Sequence, residues 1–382
     1  MLKILLFDMD DVLLEAHGYH RALQDTVSLI GTSLGYENVS LTLDDIAVFE
    51  ASGVTSEWDS SAICFALMLQ KAWSVEPKKQ LPNQINPISY TKLNIEPPDF
   101  KLFAAALGES SLKSLRPRVR AERLIINNAD PLTNLQKNMI LDILNNARRI
   151  DGSLTHRVFQ ELILGSLEFK RTYNLESFFN TASYLSKYDL PTLSLKQNAL
   201  LIEWLQHPSH RGVILTNRPS RAPQGYFCTP EAEIGAQLVG LNHLPIAGFG
   251  GLIWLSDAHG LGQEVYIKPS PVHALTALRL ALGDSQEDAL ETAAALAVGN
   301  QLDPTWQHLQ DAQVSVFEDT TGGLESLLAA STFLQAFDIR FEIQLFGISS
   351  NDQKRISLES VGAYLYPKLS SALKAANIIP DL

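Results

Sequence analysis

The chain has 382 residues, a length that favours one large and one smaller domain. Its composition, 46% hydrophobic and 19% charged, is typical of a globular protein with a sizeable core. The formal net charge of −12 argues against nucleic acid or an anionic membrane as the main partner, because both require clustered Lys and Arg. A small phosphorylated substrate stays compatible with this charge, since a few local cations or one metal ion can reverse the field inside a pocket.

The first predicted element is a buried strand. Leu2 to Phe7 form an unbroken apolar run that ends at Asp8, a pattern typical of a central strand in a parallel sheet. The run is too short for the hydrophobic region of a signal peptide or for a membrane span, and we expect a cytoplasmic protein. Cys64 and Cys228 lack metal-ligand spacing, and two buried thiols explain them better than a disulfide.

A long helical block follows this strand. Its apolar residues recur at helical spacing. The predicted helices are His20–Leu34, Leu43–Ala51, Ser56–Trp73, Thr133–Arg149 and His156–Tyr173.

From about Leu200 onward, strands alternate with helices. The predicted strands are Gly212–Thr216, Gly251–Leu255, Val265–Ile267, Val314–Phe317 and Phe341–Gly347. The predicted helices are Pro230–Val239, Pro271–Leu282, Gly323–Gln335 and Arg355–Val361. This alternation predicts an α/β protein with a doubly wound parallel sheet of the Rossmann-like kind. Residues 1–15 and 201–382 would form this core, and residues 16–200 would be a large inserted helical domain.

Polar residues follow four of the predicted strands. Asp8 and Asp10 follow the first, and Thr216, Asn217 and Arg218 follow the second. Lys268 follows the third, and Glu318 and Asp319 follow the fourth. In an open parallel sheet, ligands bind beyond the carboxyl ends of the strands, so we expect these side chains to form one site.

The order of these strand ends resembles the four signature motifs of the haloacid dehalogenase (HAD) superfamily. The first motif reads Asp8-Met9-Asp10-Asp11-Val12-Leu13, and the Glu318-Asp319 pair precedes Gly322-Gly323. This Glu-Asp pair is similar to the fourth motif of subfamily I, the branch that contains phosphoglycolate phosphatase and β-phosphoglucomutase. The resemblance covers the core, about half of the chain.

The resemblance implies a role for each matched residue. Asp8 would be the covalent nucleophile and Asp10 the general acid and base. Thr216 and the backbone amide of Asn217 would bind phosphoryl oxygens, and Lys268 would pair with both nucleophile and phosphate. Asp8, Asp319 and the backbone carbonyl of Asp10 would bind Mg²⁺, with Glu318 beside them. A hard divalent cation suits oxygen ligands and cancels the repulsion between a carboxylate and a phosphate ester.

Two features depart from the family pattern. Asp11 stands where Gly or Asn is usual, and Asp tolerates a left-handed backbone better than most residues. A rival fourth motif, Val298 to Asp303, has Asn300 in place of its first acid. Glu318-Asp319 is preferred, because a closing strand and helix come directly after it, but Asn300 and Asp303 stay candidates for the site.

In this family a helical cap inserted after the first motif selects the substrate, and the block from Ala16 to about Leu200 has this position. Candidate specificity residues lie along the block: His20, Arg21, Trp58, Asp59, Gln160 and Glu161. Trp58 and Asp59 are the substrate-binding candidates among them. Core packing or a solvated helix face is the alternative for each one. Arg218 could bind a second anionic group of the substrate or lie in a solvated loop.

The function favoured by the resemblance is hydrolysis of a small phosphorylated metabolite. A phosphomutase would use the same aspartyl-phosphate but return the phosphoryl group to a sugar. A catalytically silent binding protein on the same scaffold is the non-enzymatic alternative. It is disfavoured because Asp8, Asp10, Lys268 and Asp319 are all present. Neither the substrate nor the oligomeric state follows from the sequence.

Overall fold

The computed structural model describes residues 1–82, 85, 92–109, 115–127 and 132–380. Its chain divides into two compact units, one formed by Met1–Ala16 with Asp189–Leu382 and the other by His17–Tyr188. The chain returns to the first unit at Asp189, earlier than the boundary at residue 200 that the sequence predicts. The reason is that Leu190 and Pro191 pair with Glu15 and Leu14, and Leu193 enters a core cluster of the first unit.

The strands belong to the first unit. In chain order they are β1 (Lys3–Phe7), β2 (Leu14–Glu15), β3 (Leu190–Pro191), β4 (His210–Leu215), β5 (Ile246–Ala247), β6 (Gln313–Glu318), β7 (Glu342–Ile348) and β8 (Tyr364–Tyr366). Six of them form one sheet in the order β5-β4-β1-β6-β7-β8, and β2 pairs with β3. Neighbours in the large sheet run parallel, whereas β2 and β3 run antiparallel.

Helices α1 to α9 belong to the second unit. They are α1 (Gly18–Leu34), α2 (Leu43–Ala51), α3 (Glu57–Val75), α4 (Phe100–Glu109), α5 (Pro117–Asn127), α6 (Asn134–Asn145), α7 (Leu154–Leu164), α8 (Ser166–Tyr173) and α9 (Tyr184–Tyr188). Helix α3 packs against α1, α5, α6 and α7. Its apolar residues surround the helix, which is the pattern of a helix buried on several sides.

The remaining helices cover the large sheet. They are α10 (Leu195–Leu205), α11 (Glu231–Leu238), α12 (Phe249–Ala258), α13 (Pro271–Leu282), α14 (Gln286–Gly299), α15 (Thr321–Gln335), α16 (Asp352–Ser360) and α17 (Leu369–Ala375), with a 3₁₀ helix at Pro304–Leu309. None of the helices within the described ranges combines the length and apolar character needed to cross a membrane.

Both faces of the large sheet are buried. In β1, Ile4 and Leu6 enter one core cluster, while Leu5 and Phe7 enter another. Successive side chains of a strand point to opposite faces, so an unbroken apolar run is what a strand covered on both sides requires. The predicted Rossmann-like α/β fold, with a parallel sheet and an inserted helical block, is confirmed.

Local sequence signals explain where several helices begin and end. Capping boxes start α2 at Thr42, α6 at Thr133 and α10 at Ser194. The predicted helix His156–Tyr173 is in fact two helices, because Gly165 between them has a φ of +78°. A Cβ at this position would also lie 2.5 Å from the backbone nitrogen of Ser183, so only glycine fits there.

Two predicted strands are wrong. Gly251–Leu255 lies within α12, and Val265–Ile267 lies in a turn-rich segment before α13. A short apolar run fits a buried helix as well as a buried strand, and Leu252 and Leu255 are buried at helical spacing. In the second case, the backbone N–H of Val265 bonds the carbonyl of Gly262 within the turn. The sheet is completed instead by the very short strands β5 and β8, which the sequence did not reveal.

The two cysteines are free thiols. Cys64 is buried in α3, and Cys228 is partly buried in the loop before α11. Burial raises the pKa of both, to about 12 for Cys228, so each is a neutral thiol at physiological pH. The prediction of unpaired thiols holds, except that Cys228 is not fully buried.

Candidate active site

Three strands of the large sheet deliver polar residues to its carboxyl edge. Strand β1 lies between β4 and β6, and Phe7 is in register with Ile214 and Phe317. Asp8 follows β1 directly, Thr216 follows β4, and Glu318 is the last residue of β6. Parallel strands carry the chain to the same edge of a sheet, so the register places these residues side by side.

Lys268 joins two of these strand ends. Its Nζ donates to Asp8 Oδ1 at 2.7 Å and to Glu318 Oε1 at 2.5 Å, and its side chain is only 5% exposed. The sequence predicted that Lys268 follows a strand. Lys268 lies instead in the turn-rich segment before α13. Tertiary contacts therefore bring Lys268 to both acids, although the strand predicted before it does not exist.

His273 in α13 fixes the backbone that carries Lys268. Its Nδ1 accepts from the backbone N–H of Lys268 at 3.2 Å, and its Nε2 lies 2.9 Å from the carbonyl oxygen of Ala247 in β5. Burial, together with the charge of Lys268, lowers the pKa of His273 to about 3. The ring is therefore neutral, with Nε2 donating and Nδ1 accepting. The sequence offered no signal for this role.

Glu318 is fully buried against the first turn of α15. A Cβ on Gly323 would lie 1.8 Å from Glu318 Oε1, so this carboxylate needs glycine at the helix start. Its other oxygen, Oε2, is buried and meets no hydrogen-bond donor within the described part of the chain. A buried carboxylate oxygen without a donor is costly, which favours a cationic ligand for it.

The charges of this cluster are poorly balanced. Burial raises the pKa of Asp8, with attraction to Lys268 opposing the rise and repulsion from Asp10 adding to it. Burial and then the charge of Asp8 raise the pKa of Glu318 well above its usual range, and the same causes raise that of Asp319 to about 6. Burial lowers the pKa of Lys268, but Asp8 and Glu318 outweigh it, so this amine stays charged.

The acidic residues fit a divalent cation. One carboxylate oxygen each from Asp8, Glu318 and Asp319 lie within 4.8 Å of one another, and all three residues are buried. Hard cations such as Mg²⁺ prefer oxygen ligands, and an excess of buried negative charge favours binding them. The Asp10 carboxylate is absent from this group of described residues. Its backbone carbonyl as a metal ligand stays a prediction.

Asp11 and Lys354 form a second charged contact beside this cluster. Asp11 has a φ of +56°, so the left-handed backbone anticipated for this position is present. Its carboxylate accepts from Lys354 Nζ at 3.1 Å, and the same ammonium pairs with Asp319. The sequence predicted no role for Lys354. Its position shortly after β7, another strand ending at the same edge, was the available signal.

The residues that follow β4 divide by burial. Thr216 is 1% exposed, and its Oγ1 accepts from the backbone N–H of Arg218 at 3.1 Å. Asn217 between them is exposed, which leaves it accessible to a ligand. Arg218 is 3% exposed and contacts Asp10 and Asp189, so the solvated loop considered from the sequence is wrong.

The rival fourth motif does not follow a strand. Asn300 is the left-handed residue that ends α14, and Asp303 caps the 3₁₀ helix and contacts Arg279. In the described chain, the acidic group that includes Asp8 is completed by Glu318 and Asp319. The geometry therefore favours the Glu318-Asp319 pair that the sequence analysis preferred.

Trp58 and Asp59 lie at the start of α3 in the second unit. The Trp58 ring stacks on His156 with 5.1 Å between centroids. Asp59 is 5% exposed and pairs with Arg118 at 3.2 Å and with Arg148 at 3.1 Å. Both residues thus have packing roles within their own unit, and their contact with a substrate stays a prediction.

The other cap candidates also have partners within the second unit. His20 lies 3.3 Å from Glu50, Arg21 pairs with Asp25 at 3.0 Å, and Gln160 bonds the Tyr173 hydroxyl at 3.2 Å. Glu161 is fully buried and accepts the backbone N–H groups of Phe178 and Phe179. Glu161 is therefore explained by the structure of this unit.

Similarity to known proteins bears on the fold. The X-ray structure of Northeast Structural Genomics Consortium target ZR25 aligns with 99% of this chain and 98% of its own, at 16% identity and a TM-score of 0.63. Phosphatase Tt82 from Thermococcus thioreducens aligns with 93% of this chain and 99% of its own, at 14% identity and a TM-score of 0.40. No protein-family model and no curated protein matches the chain. The first alignment supports the α/β fold alone.

Proposed function

We propose that this protein is a magnesium-dependent phosphatase that acts through an aspartyl-phosphate on Asp8. One observation carries the proposal. Lys268 Nζ bonds both Asp8 and Glu318 at the carboxyl edge of the sheet, where Asp319 completes a buried acidic group. An unexplained buried cluster of this kind, with raised carboxyl pKa values, is typical of a functional site.

The donor set suits a phosphate ester. Asp8, Glu318 and Asp319 would hold Mg²⁺, which supplies positive charge where the anionic ester approaches a carboxylate. Lys268 adds a positive charge in direct contact with Asp8. This charge orients the carboxylate and stabilises negative charge that develops on the transferred phosphoryl group.

Each half of the reaction uses residues of this chain. An oxygen of Asp8 attacks phosphorus, the bond to the leaving oxygen breaks, and Asp10 gives that oxygen a proton. In the second half, Asp10 takes a proton from water as the water attacks phosphorus, and the bond to Asp8 breaks. The Thr216 hydroxyl and the backbone amide of Asn217 would bind phosphoryl oxygens.

The substrate class is a small phosphorylated metabolite. We place the protein near subfamily I of the HAD superfamily on its Glu-Asp pair and on its helical unit, which is inserted after β2. In that family, an insertion at this point is the cap that chooses the substrate, and α1 to α9 would have this role. A screen of phosphorylated metabolites with phosphate detection identifies the substrate. A phosphomutase would instead interconvert sugar phosphates without releasing phosphate.

Hydrolysis of p-nitrophenyl phosphate in the presence of Mg²⁺ tests the proposal. Asp8→Asn should lower kcat at least about 10³-fold, because an amide is a poor nucleophile and the covalent intermediate is lost. Circular dichroism should be unchanged, since the substitution keeps the side-chain shape. An Asp8→Asn variant with wild-type activity would remove the nucleophile assignment.

A matched pair of variants serves as the control for the metal site. Asp319→Asn should raise the Mg²⁺ concentration required for half-maximal activity, because it removes a charged ligand. Asn300→Gly alters the rival motif but keeps a residue that accepts the left-handed backbone, so activity should stay at the wild-type level. The reverse pattern would show that the metal-binding acid lies at the rival motif.

A further inference from the structure

Arg218 connects Asp10 to a buried acid that the proposed mechanism does not use. Its Nε donates to Asp10 Oδ1 at 2.8 Å, and its Nη2 donates to Asp189 Oδ2 at 2.9 Å. The side chain of Arg218 is 1% exposed and that of Asp189 is fully buried, whereas the Asp10 side chain is 40% exposed. The three residues thus run from the interior of the first unit to its surface.

Burying charged groups such as Arg218 and Asp189 destabilises a protein unless they are paired in a good hydrogen-bonding geometry. Removing one partner of a buried ion pair leaves an uncompensated buried charge and strongly destabilises a protein. Arginine suits this position because its planar guanidinium can bind two carboxylates in fixed directions and stays charged. Asp189 therefore sets the direction of the Arg218 fork, and the fork sets the position of Asp10.

The loop that carries Asp10 is also bound by the segment that begins at Asp189. Strand β3 pairs with β2, with Leu14 in register with Pro191. The backbone N–H of Thr192 donates to the carbonyl of Leu13 at 3.1 Å, and the Thr192 hydroxyl donates to the carbonyl of Val12. The segment 189–192 thus holds both the backbone after Asp10 and, through Arg218, the carboxylate of Asp10.

We propose that Asp189 and Arg218 are positioning residues that aim the Asp10 carboxylate for proton transfer. The proposal rests on the proposed function, in which Asp10 is the acid and base. Arg218 binds Oδ1 of Asp10, so Oδ2 is the oxygen that carries the proton. That proton leaves Oδ2 for the leaving oxygen as its bond to phosphorus breaks, and Oδ2 regains a proton from water when water displaces Asp8.

Leaving-group dependence separates this role from a merely structural one. A dinitrophenolate leaves without protonation, whereas a phenolate needs a general acid, and acid–base catalysis is worth about 10²–10⁴-fold. The variants are Arg218→Lys, which keeps the charge but loses the fork, and Asp189→Asn, which keeps the shape but loses the charge. Both are assayed with 2,4-dinitrophenyl phosphate and phenyl phosphate, with Asp10→Asn as the reference.

All three variants should show the same kinetic changes. These changes should be smaller in Asp189→Asn than in the other two. Turnover of phenyl phosphate should fall about 10²-fold in Arg218→Lys. With 2,4-dinitrophenyl phosphate, a rapid burst of dinitrophenolate close to the enzyme concentration should precede slow turnover. The burst arises because Asp8 is still phosphorylated but the intermediate is no longer hydrolysed efficiently.

Other outcomes overturn the proposal. An equal loss with both esters and no burst, in variants that keep the wild-type circular dichroism, would show a structural role only. Unchanged kinetics in both variants would show no role. If Asp189→Asn does not fold, Arg218→Lys alone decides between these results. Absence of Asp8-dependent hydrolysis in the wild type would remove the proposed function itself, and this inference with it.

Discussion

Two fully buried glutamates, one in each unit, have opposite surroundings. Glu161 lies in α7 of the helical unit, and Glu318 ends β6 of the sheet unit. Both side chains carry the same chemical group at zero exposure. They differ in the donors that surround them, and this difference separates a structural acid from a functional one.

Glu161 has hydrogen-bond partners for both oxygens. Oε1 accepts from the backbone N–H of Phe179 at 2.8 Å and from the Ser166 hydroxyl at 3.1 Å. Oε2 accepts from the backbone N–H of Phe178 at 2.7 Å. The carboxylate therefore replaces its lost hydration with neutral donors, and it holds the segment after α8 against α7.

Glu318 has one partner and two neighbouring acids. Oε1 accepts from Lys268, Oε2 has no donor in the described part of the chain, and Asp8 and Asp319 lie close by. Burial and the charge of Asp8 raise its pKa well above the usual range. The side chains of the described residues thus leave this site short of positive charge, as a site that receives a cation should be.

Replacement of each glutamate by glutamine sharpens the comparison. Glu161→Gln should lower the free energy of unfolding by about 1–3 kcal/mol, because the NH2 group that replaces one carboxylate oxygen cannot accept from a backbone N–H. Glu318→Gln in metal-free protein should lower it less than Glu161→Gln does, because Oε2 has no donor to lose within the described chain and the Asp8 and Asp319 carboxylates lie close by. Urea unfolding monitored by circular dichroism with EDTA measures both.

Added Mg²⁺ distinguishes the two variants further. Stabilisation by a ligand that binds the folded state reaches about 2.7 kcal/mol at a concentration of one hundred times Kd. Glu161→Gln should keep the wild-type gain, whereas Glu318→Gln should lose most of it. Equal gains in both variants would contradict the account of Glu318 as part of the cation site.

A change of pH should have a smaller effect on stability and on Mg²⁺ binding. The pKa of Asp319 is raised from 3.8 to about 6 in the folded protein, mainly by burial and then by the charge of Asp8. Its ionisation is therefore disfavoured by folding, so the metal-free protein should lose stability as pH rises from about 4 through 6. A cation needs the ionised form, so Mg²⁺ affinity should be roughly tenfold weaker at pH 5 than at pH 7.

Thermal unfolding with Mg²⁺ titrations at several pH values measures this dependence. The apparent Kd should rise as pH falls through 6, and Asp319→Asn should remove much of the pH dependence in this range. The same affinity at pH 5 and pH 7 in the wild-type protein would show that Asp319 does not have to ionise for the cation to bind.

The sequence predicted the parts of the site that depend on local pattern. An apolar run followed by a polar residue identifies the end of a strand, which was enough for Asp8, Thr216 and Glu318. Lys268 was found for the wrong reason, because the turn before α13 resembles a short strand. The apolar run in α12 was misread, since a run of five residues has no decisive periodicity.

The contacts that the sequence did not predict join residues that are far apart along the chain. Asp189 is far in sequence from Asp10 and Arg218, and it follows a tyrosine in a segment without strand or helix pattern. Lys354 reaches Asp319 and Asp11 only because β7 lies beside β6 in the sheet. Such pairs follow from sheet order and from the path of the returning chain, which composition and periodicity do not encode.

Direct mapping of the covalent intermediate tests the central claim most directly. Asp10→Asn protein, in which the intermediate should accumulate, is mixed with 2,4-dinitrophenyl phosphate and Mg²⁺, quenched in acid and reduced with borohydride. An aspartyl-phosphate is converted by this treatment to homoserine, which peptide mass spectrometry locates. The account predicts homoserine at position 8. Homoserine at another position, or an unmodified Asp8 during a measured dinitrophenolate burst, would contradict it.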